Sequence, residues 1–260
     1  MEMLKNCIRW LVAAAFVIFP SICIAADDQK APWVTGADAS NPLAAVNFQD
    51  ARFRYFDLGE GKEKLSFETT GAYVFQPRLK ITNELRGVHT NKSGEYETDF
   101  EELKLRLTHL TDFKSFGVKT RFGIGVEWQK DLGDFNEGTG TGSDKIAPLL
   151  GIGWLPTPKD SVVALVQYFH SYDEDKGVPK VRRTGPILLY IRKFPEIRGW
   201  LKLDFKGMID HENDEEFSST FEIQLGHMLT PRLGIYGEFL TEIDSDAYDW
   251  GLGIGVRYKY

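Results

Sequence analysis

The last twelve residues, 249–260, alternate strictly between large apolar side chains and small or basic ones. Even positions, from Trp250 to Tyr260, are apolar or aromatic, whereas odd positions after Asp249 are glycine, arginine or lysine. A period of two predicts a β-strand, because successive side chains of a strand point to opposite faces of the sheet. The pattern is typical of a barrel strand between lipid and a polar lumen, although an edge strand of a soluble sheet would share it.

The same alternation recurs about every 18 residues from Asn47 onward, the length of one tilted spanning strand plus a connection. The predicted strands are 47–57, 64–75, 77–88, 98–110, 117–129, 145–154, 161–170, 183–193, 199–209, 218–229, 233–243 and 249–260. The alternation is weaker in 145–154 and 161–170, where Val163 and Leu165 fall on the predicted inner face. We therefore expect an all-β fold, a twelve-stranded up-and-down antiparallel transmembrane β-barrel.

The connections between the predicted strands alternate in length. One set is short and rich in proline, at 75–77, 111–115, 155–160, 194–198 and 230–232. The other set is mostly longer and acidic, and its longest members are 131–144 and 171–182. Short periplasmic turns and longer external loops are the plan of outer-membrane barrels, so loop lengths support the barrel independently of the strands.

The start of the chain predicts export. Lys5 and Arg9 precede a ten-residue apolar run, and small residues follow at the offsets of a cleavage site, so residues 1–25 are predicted to be a signal peptide. Residues 26–46 are polar and patternless and are predicted to form a periplasmic N-terminal arm or plug, with a flexible leader as the alternative. Residues 47–260 then form the outer-membrane β-barrel.

Composition narrows the class of protein. Of 260 residues, 27% are charged, which excludes a helical membrane protein but not a barrel, whose strands are half polar. The net charge of −7 argues against a nucleic-acid partner. Both cysteines, Cys7 and Cys23, lie in the predicted signal peptide, so the exported chain is expected to have no disulfide.

Four stretches resemble a known family: 38–46, 146–151, 222–226 and 249–257. The chain is similar there to Gram-negative outer-membrane β-barrel proteins labelled as transporters, in the style of the barrel family named after the meta-pathway of phenol degradation (MetA-like). The resemblance implies the barrel fold and a location in the cell outer membrane. It implies no catalytic residue and no cofactor.

Charged side chains at lumen-facing parity are the candidate site. Basic residues outnumber acidic ones there, although the whole chain is acidic. The pore-lining candidates are Arg78, Lys80, Arg86, Lys104, Arg106, Lys119, Arg121, Arg192, Lys202, Lys206, Arg257, Glu84, Glu102, Glu127, Glu222 and Glu238. The remaining charges of this parity are Arg52, Arg54, Lys259, Asp50, Glu68 and Asp204.

Two interpretations of this inner face compete. A cationic wall favours a channel or transporter for passive or selective passage of small solutes, anionic or aromatic. The alternative is a structural barrel whose lumen is closed by ion pairs. Twelve strands lie between eight, which side chains can fill, and sixteen, which leave a wide channel, so both remain open.

A lipid-modifying enzyme, a hydrolase or acyltransferase, is a further alternative. His170 precedes Ser171 at a predicted outer rim, and His211 lies at another. Adjacency in sequence does not assemble a catalytic pair, and the other histidines are scattered without metal-ligand spacing, so we predict no enzyme, no cofactor and no metal.

The expected partners follow from the predicted location: outer-membrane lipid and lipopolysaccharide, the barrel-assembly machinery through the C-terminal Tyr260, and a small-molecule solute. The candidates for the aromatic girdles at the two membrane interfaces are Tyr168, Trp128, Trp154, Trp250, Tyr258 and Tyr260.

Overall fold

A computed structural model describes residues 37–76, 78–212, 216–243 and 248–260. The predicted signal peptide and the first part of the predicted arm, 26–36, lie outside these ranges. Among the described residues, no helix combines the length and the apolar character that crossing a membrane requires.

The described residues form one short helix and twelve strands. These are α1 (Ala37–Ser40), β1 (Phe48–Gly59), β2 (Lys62–Gln76), β3 (Leu79–Thr90), β4 (Glu97–Ser115), β5 (Val118–Asp131), β6 (Ser143–Leu155), β7 (Asp160–Glu174), β8 (Arg182–Phe194), β9 (Gly199–Asp210), β10 (Glu216–Met228), β11 (Leu233–Ile243) and β12 (Trp250–Lys259). A single 3-10 turn, Pro195–Ile197, connects β8 to β9.

Each strand pairs antiparallel with its neighbours in sequence, and β1 pairs with β12 to close the ring. The closing register runs from Phe48 opposite Lys259 to Asp57 opposite Trp250. Closure leaves no open sheet edge, which is the condition for a sheet to cross a bilayer. The predicted twelve-stranded antiparallel barrel is confirmed.

The strand boundaries differ most from the prediction in β4. Residues 111–115 were predicted to be a turn, but β4 continues through them and pairs with β5 as far as Ser115 opposite Val118. The real turn has two residues, Phe116 and Gly117, both with positive φ (51° and 78°). Two such residues suit a tight hairpin, so the ladder can extend to the very end of the strands.

The two faces of the sheet differ as the alternation predicts. On β12, Leu252 and Ile254 are 50% and 68% exposed, whereas Gly251, Gly253 and Gly255 between them are buried. Large apolar side chains cover the outer wall in the same way on the other strands. Such a surface is stable against acyl chains rather than against water.

The inward glycines of β12 make room for large neighbours. A Cβ atom on Gly255 would lie 2.2 Å from Cζ of Tyr236, and one on Gly251 would lie 2.8 Å from Cδ1 of Phe56. The outward Gly237 of β11, in contrast, has its nearest atom at 3.8 Å. The glycines at odd positions of the last strand are therefore sockets for interior side chains.

This packing predicts the effect of adding a side chain at an inward glycine of β12. Gly255→Val should destabilise the barrel by about 1–3 kcal/mol, because the added methyl groups must displace the ring of Tyr236. The matched control, Gly237→Val, faces outward and should unfold like wild type. Urea unfolding in lipid vesicles, followed by the heat-modifiable gel shift of the folded barrel, measures both; equal midpoints for the two variants would contradict this packing.

Candidate functional site in the barrel lumen

One continuous network of ion pairs covers the inner face of β9, β10, β11, β1, β2, β3 and β4. It joins seven basic side chains to seven carboxylates, so its charges balance. The basic members are Arg52, Arg54, Lys64, Arg86, Lys104, Lys202 and Lys206, and the acidic members are Glu68, Glu84, Glu101, Glu102, Asp204, Glu222 and Glu238.

Glu68 lies at the centre of this network. It is 1% exposed and accepts hydrogen bonds from both Arg52 and Arg86, the latter at 3.2 Å. Arg52 also approaches Glu238 at 3.6 Å, which connects the β1–β2 contact to β11. A buried carboxylate is stable only when its lone pairs are engaged, so two guanidinium groups hold this one in place.

The network crosses β12 above a glycine. Arg54 of β1 donates to Glu238 of β11 at 2.8 Å and to Glu222 of β10 at 3.0 Å. The strand between them presents Gly253 inward, where a Cβ would lie 2.9 Å from Oε2 of Glu238 and 3.1 Å from Cγ of Arg54. A larger residue at position 253 would clash with the side chain of Arg54. Glycine at this position is therefore required for the ion pairs of Arg54.

A bulge adds one carboxylate that the alternation does not predict. The register of β3 with β4 shifts between Arg86 and Gly87, which leaves Glu101 without a cross-strand partner next to Glu102. Both carboxylates are buried, and Arg86 contacts them at 3.5 and 2.9 Å, while Lys64 contacts Glu101 at 2.5 Å. Glu101 was absent from the predicted set because a bulge has no signature in the sequence around it. Lys64 was absent although it has the same inward parity on β2 as Glu68, because it is the first residue of the predicted strand 64–75.

Two further cation–carboxylate pairs flank the network. Arg106 of β4 pairs with Glu127 of β5, and Arg257 of β12 donates to Asp50 of β1 at 2.8 Å. The guanidinium of Arg257 also lies 4.9 Å from the ring centroid of Tyr236, whose hydroxyl donates to Asp50. These two pairs balance each other as well, so the predicted cationic excess lies in side chains outside the network and its flanking pairs, among them Lys80 and Arg121.

The opposite wall is apolar. Val163 and Leu165 of β7 and Leu189 and Ile191 of β8 are at most 5% exposed and point inward. They belong to the barrel interior, as the weak alternation of the β7 stretch predicts. The lumen therefore has a charged side and an apolar side.

The arm enters the barrel on this apolar side. Leu43 is 1% exposed and belongs to one cluster with Val163, Leu189, Ile191 and Trp200. The short helix α1 contacts β8 and β9. Residues 39–46, here called the plug segment, thus occupy the lumen at the end of the barrel where the short turns lie.

Wall cations hold the plug segment through neutral acceptors. Lys80 donates to the backbone oxygens of Pro42 and Ala44 at 3.2 and 3.1 Å, and Arg121 donates to that of Leu43 at 3.1 Å. Arg257 donates to the hydroxyl of Ser40 at 2.7 Å, and that hydroxyl donates to Gln224 at 2.9 Å. In the described ranges, no carboxylate forms an ion pair with Lys80.

Two cavities lie beside the plug segment in the described part of the lumen. A cavity of about 150 Å³ lies between it and a wall that includes Phe48, Lys80, Arg106 and Glu127. A second cavity of about 170 Å³ lies on its other side, near Lys119 and Arg121. Each has room for several water molecules.

One of the predicted pore-lining residues lies outside the lumen, and two lie at its rim. Arg192 is on the outer face of β8, because Leu189 and Ile191 take the inward positions, and it contacts Asp160 at 3.5 Å. Arg78 and Lys119 are exposed at the short-turn end of the barrel, where Lys119 also lines the second cavity beside the plug segment. The correction for Arg192 removes one positive charge from the predicted lumen.

The candidate catalytic residues His170, Ser171 and His211 do not form a catalytic pair in the structure. His170 and Ser171 are neighbours on β7, and strand alternation turns their side chains to opposite faces. The Ser171 hydroxyl is buried, donates to Glu174 at 2.6 Å and accepts from the amide of Val181 at 2.8 Å. His211 contacts Thr184 at 2.8 Å, and among the described residues no group of three or more His, Cys, Asp or Glu could hold a metal.

The network makes a prediction about stability. Glu68→Ala leaves Arg52 and Arg86 buried without their shared partner and should destabilise the barrel by about 3–5 kcal/mol. The control is Glu196→Ala, which removes the exposed contact with Lys159 at 2.5 Å and should unfold like wild type. Urea midpoints in vesicles compare them; a wild-type midpoint for Glu68→Ala would show that the lumen is wet enough to solvate both guanidinium groups.

No protein-family model matches the chain, and no curated protein matches it. Solved structures do match. The NanC porin is 10% identical with a TM-score of 0.61, covering 82% of this chain and 100% of that one. An outer membrane channel from Pseudomonas putida F1 is 10% identical with a TM-score of 0.58, covering 91% and 100%.

An enzyme shares the architecture as well. Outer membrane phospholipase A from Escherichia coli is 13% identical with a TM-score of 0.50, covering 86% of this chain and 98% of that one. At these identities the similarity establishes the fold alone, and it does not establish the transporter family that the sequence resembles. The chain has the fold of outer-membrane β-barrels, a fold that carries both channels and an enzyme.

Proposed function

We propose that the chain is an outer-membrane channel for small anionic solutes, closed by its plug segment. The observation that carries this proposal is the way in which wall cations hold that segment. Lys80 donates to two backbone carbonyls, and Arg121 and Arg257 each donate to another neutral oxygen. These cations meet the plug segment through weaker acceptors than a carboxylate or phosphate would offer.

Displacement follows from that difference in acceptor strength. An anion that reaches Lys80 from the adjoining cavity can replace the carbonyls of Pro42 and Ala44 with a charge-assisted hydrogen bond. Releasing these carbonyls removes part of what holds the plug segment in the lumen. A solute with an apolar portion gains further from the inward Val163 and Leu165, which suits the aromatic alternative for the substrate.

The ion-pair network supports a second candidate, a structural barrel without transport. Its balanced charges and deep burial would brace a permanently closed lumen. The two functions differ in what happens when the plug segment is absent: a channel opens, whereas a braced barrel stays closed.

Deleting residues 37–46 tests this difference. Single-channel recording in planar bilayers should show a higher conductance for the deletion than for wild type, with a preference for anions over cations. A deletion variant that is folded and still does not conduct would overturn the channel in favour of the structural barrel. Cation preference would overturn the assignment of anionic solutes.

Selectivity should depend on Lys80. A unit charge about 4 Å away favours a hydrated anion by about 1 kcal/mol and disfavours a cation by as much, so Lys80→Gln in the deletion background should lower the anion-to-cation permeability ratio by about thirtyfold. Lys159→Gln is the control, because Lys159 is exposed outside the lumen and pairs with Glu196. An equal ratio in both variants would show that Lys80 does not face the path of the ions.

A further inference from the structure

The hairpin of β4 and β5 carries two lysines that face each other at the short-turn end of the barrel. Lys114 of β4 is the cross-strand partner of Lys119 of β5, and both are exposed. The amide of Leu110 donates to Arg78 on the β3 side at 2.6 Å, so the amides of even-numbered residues in this part of β4 point away from β5. Lys114 and Lys119 therefore form a non-hydrogen-bonded pair with Cα atoms about 4.5 Å apart. We call these two residues the lysine pair.

The lysine pair has no compensating charge on its own hairpin. Like charges directly opposite each other destabilise a sheet. Asp112, the acidic residue on the same face, accepts a hydrogen bond from Arg121 at 2.7 Å and is engaged by it. In the described ranges, no carboxylate forms an ion pair with Lys114 or Lys119. Two neighbouring ammonium groups are thus available to an anion from outside the chain.

The lysine pair faces the mouth of the lumen and not the bilayer. Lys119 has the same parity on β5 as Arg121, which donates to the backbone oxygen of Leu43 in the plug segment at 3.1 Å. Lys119 and Arg121 both line the cavity of about 170 Å³ beside that segment. Lys119 also pairs with Leu155, the last residue of β6, so the lysine pair lies at the rim. An anion can reach it while the plug segment is in place.

The chemistry of the lysine pair suits an oxyanion. Two ammonium groups on adjacent strands can both donate to one carboxylate or phosphate, because each of its oxygens accepts separately. The surrounding charge is positive as well, since Arg78 and Arg121 lie at the same end of the barrel and Asp112 is the acidic residue between them. Such a concentration of one sign of charge raises the local concentration of anions.

We propose that the lysine pair binds the carboxylate or phosphate group of the transported solute at the periplasmic mouth of the lumen. The identification of the ligand as a transported solute rests on the proposed channel function, whereas the binding of an oxyanion does not. A solute that leaves Arg121 and its cavity meets the lysine pair next along the same face. Because both lysines are exposed, they bind the anion weakly enough to release it, as conduction requires.

Titration with inorganic phosphate tests the site in the closed wild-type barrel. In nanodiscs of phosphatidylcholine, the amide NMR signals of residues 112–121 should shift as phosphate replaces chloride at constant ionic strength. Lys114→Gln with Lys119→Gln should raise the phosphate dissociation constant by about tenfold, because each exposed cation contributes up to about fivefold. Lys159→Gln, an exposed lysine that pairs with Glu196, is the matched control and should bind phosphate like wild type. No shift in wild type, or an unchanged dissociation constant in the double variant, would overturn the site.

A charge reversal separates binding from stability. Lys114→Glu replaces the repulsion across the hairpin with a cross-strand ion pair to Lys119, so the urea midpoint in chloride should rise. The same variant should bind phosphate at least tenfold more weakly than wild type. The heat-modifiable gel shift confirms that each variant is a folded barrel. A phosphate affinity retained in Lys114→Glu would overturn the site, because the second ammonium group would then be unnecessary.

Two further arms identify the source of the anion. Adding phosphatidylglycerol to the nanodiscs, without free phosphate, should leave the hairpin signals unchanged. A phosphate-like shift there would overturn the proposal in favour of a lipid headgroup. Conductance of the variant that lacks residues 37–46 is the second arm: a folded variant that does not conduct would overturn a transported solute as the ligand. Failure of phosphate binding in a variant that conducts would instead overturn the lysine pair and leave the channel intact.

Discussion

Most carboxylates of the lumen are buried, and a buried carboxylate is stable only when neighbouring cations engage it. This constraint explains the balance of seven cations and seven carboxylates in the ion-pair network. Glu68 and Arg86 illustrate it: each contacts more than one opposite charge. The paths of these long side chains also determine at which inward positions of the neighbouring strands only a small residue fits.

Space for these pairs comes from glycines on neighbouring strands. Gly253 leaves the path along which Arg54 reaches Glu238, and Gly255 accepts the ring of Tyr236. The final strand is thus glycine-rich on one face for a packing reason, while its other face meets acyl chains. The apolar inner wall of β7 and β8 has no charges to pair. It is shielded from water by Leu43 of the plug segment, which packs against it.

The sequence predicts the fold well because the period of two, the loop lengths and the aromatic terminus all indicate one architecture. It predicts the lumen less well. On β8 both faces are apolar, so alternation alone could not place Arg192, and the inward positions belong to Leu189 and Ile191 because the plug segment packs there. Pairing between distant strands, such as Arg54 with Glu222, depends on closure of the ring and is not visible in local patterns.

The barrel depends on the difference between its two faces, an outer wall that suits acyl chains and an interior that is shielded from them. Trp250 is 36% exposed on the outer wall, whereas Trp200 is 1% exposed in the lumen. Fluorescence quenching of single-tryptophan variants in vesicles measures this directly. Lipids with brominated acyl chains should quench Trp250 strongly and leave Trp200 bright; equal quenching of the two, or protection of Trp250, would contradict the account.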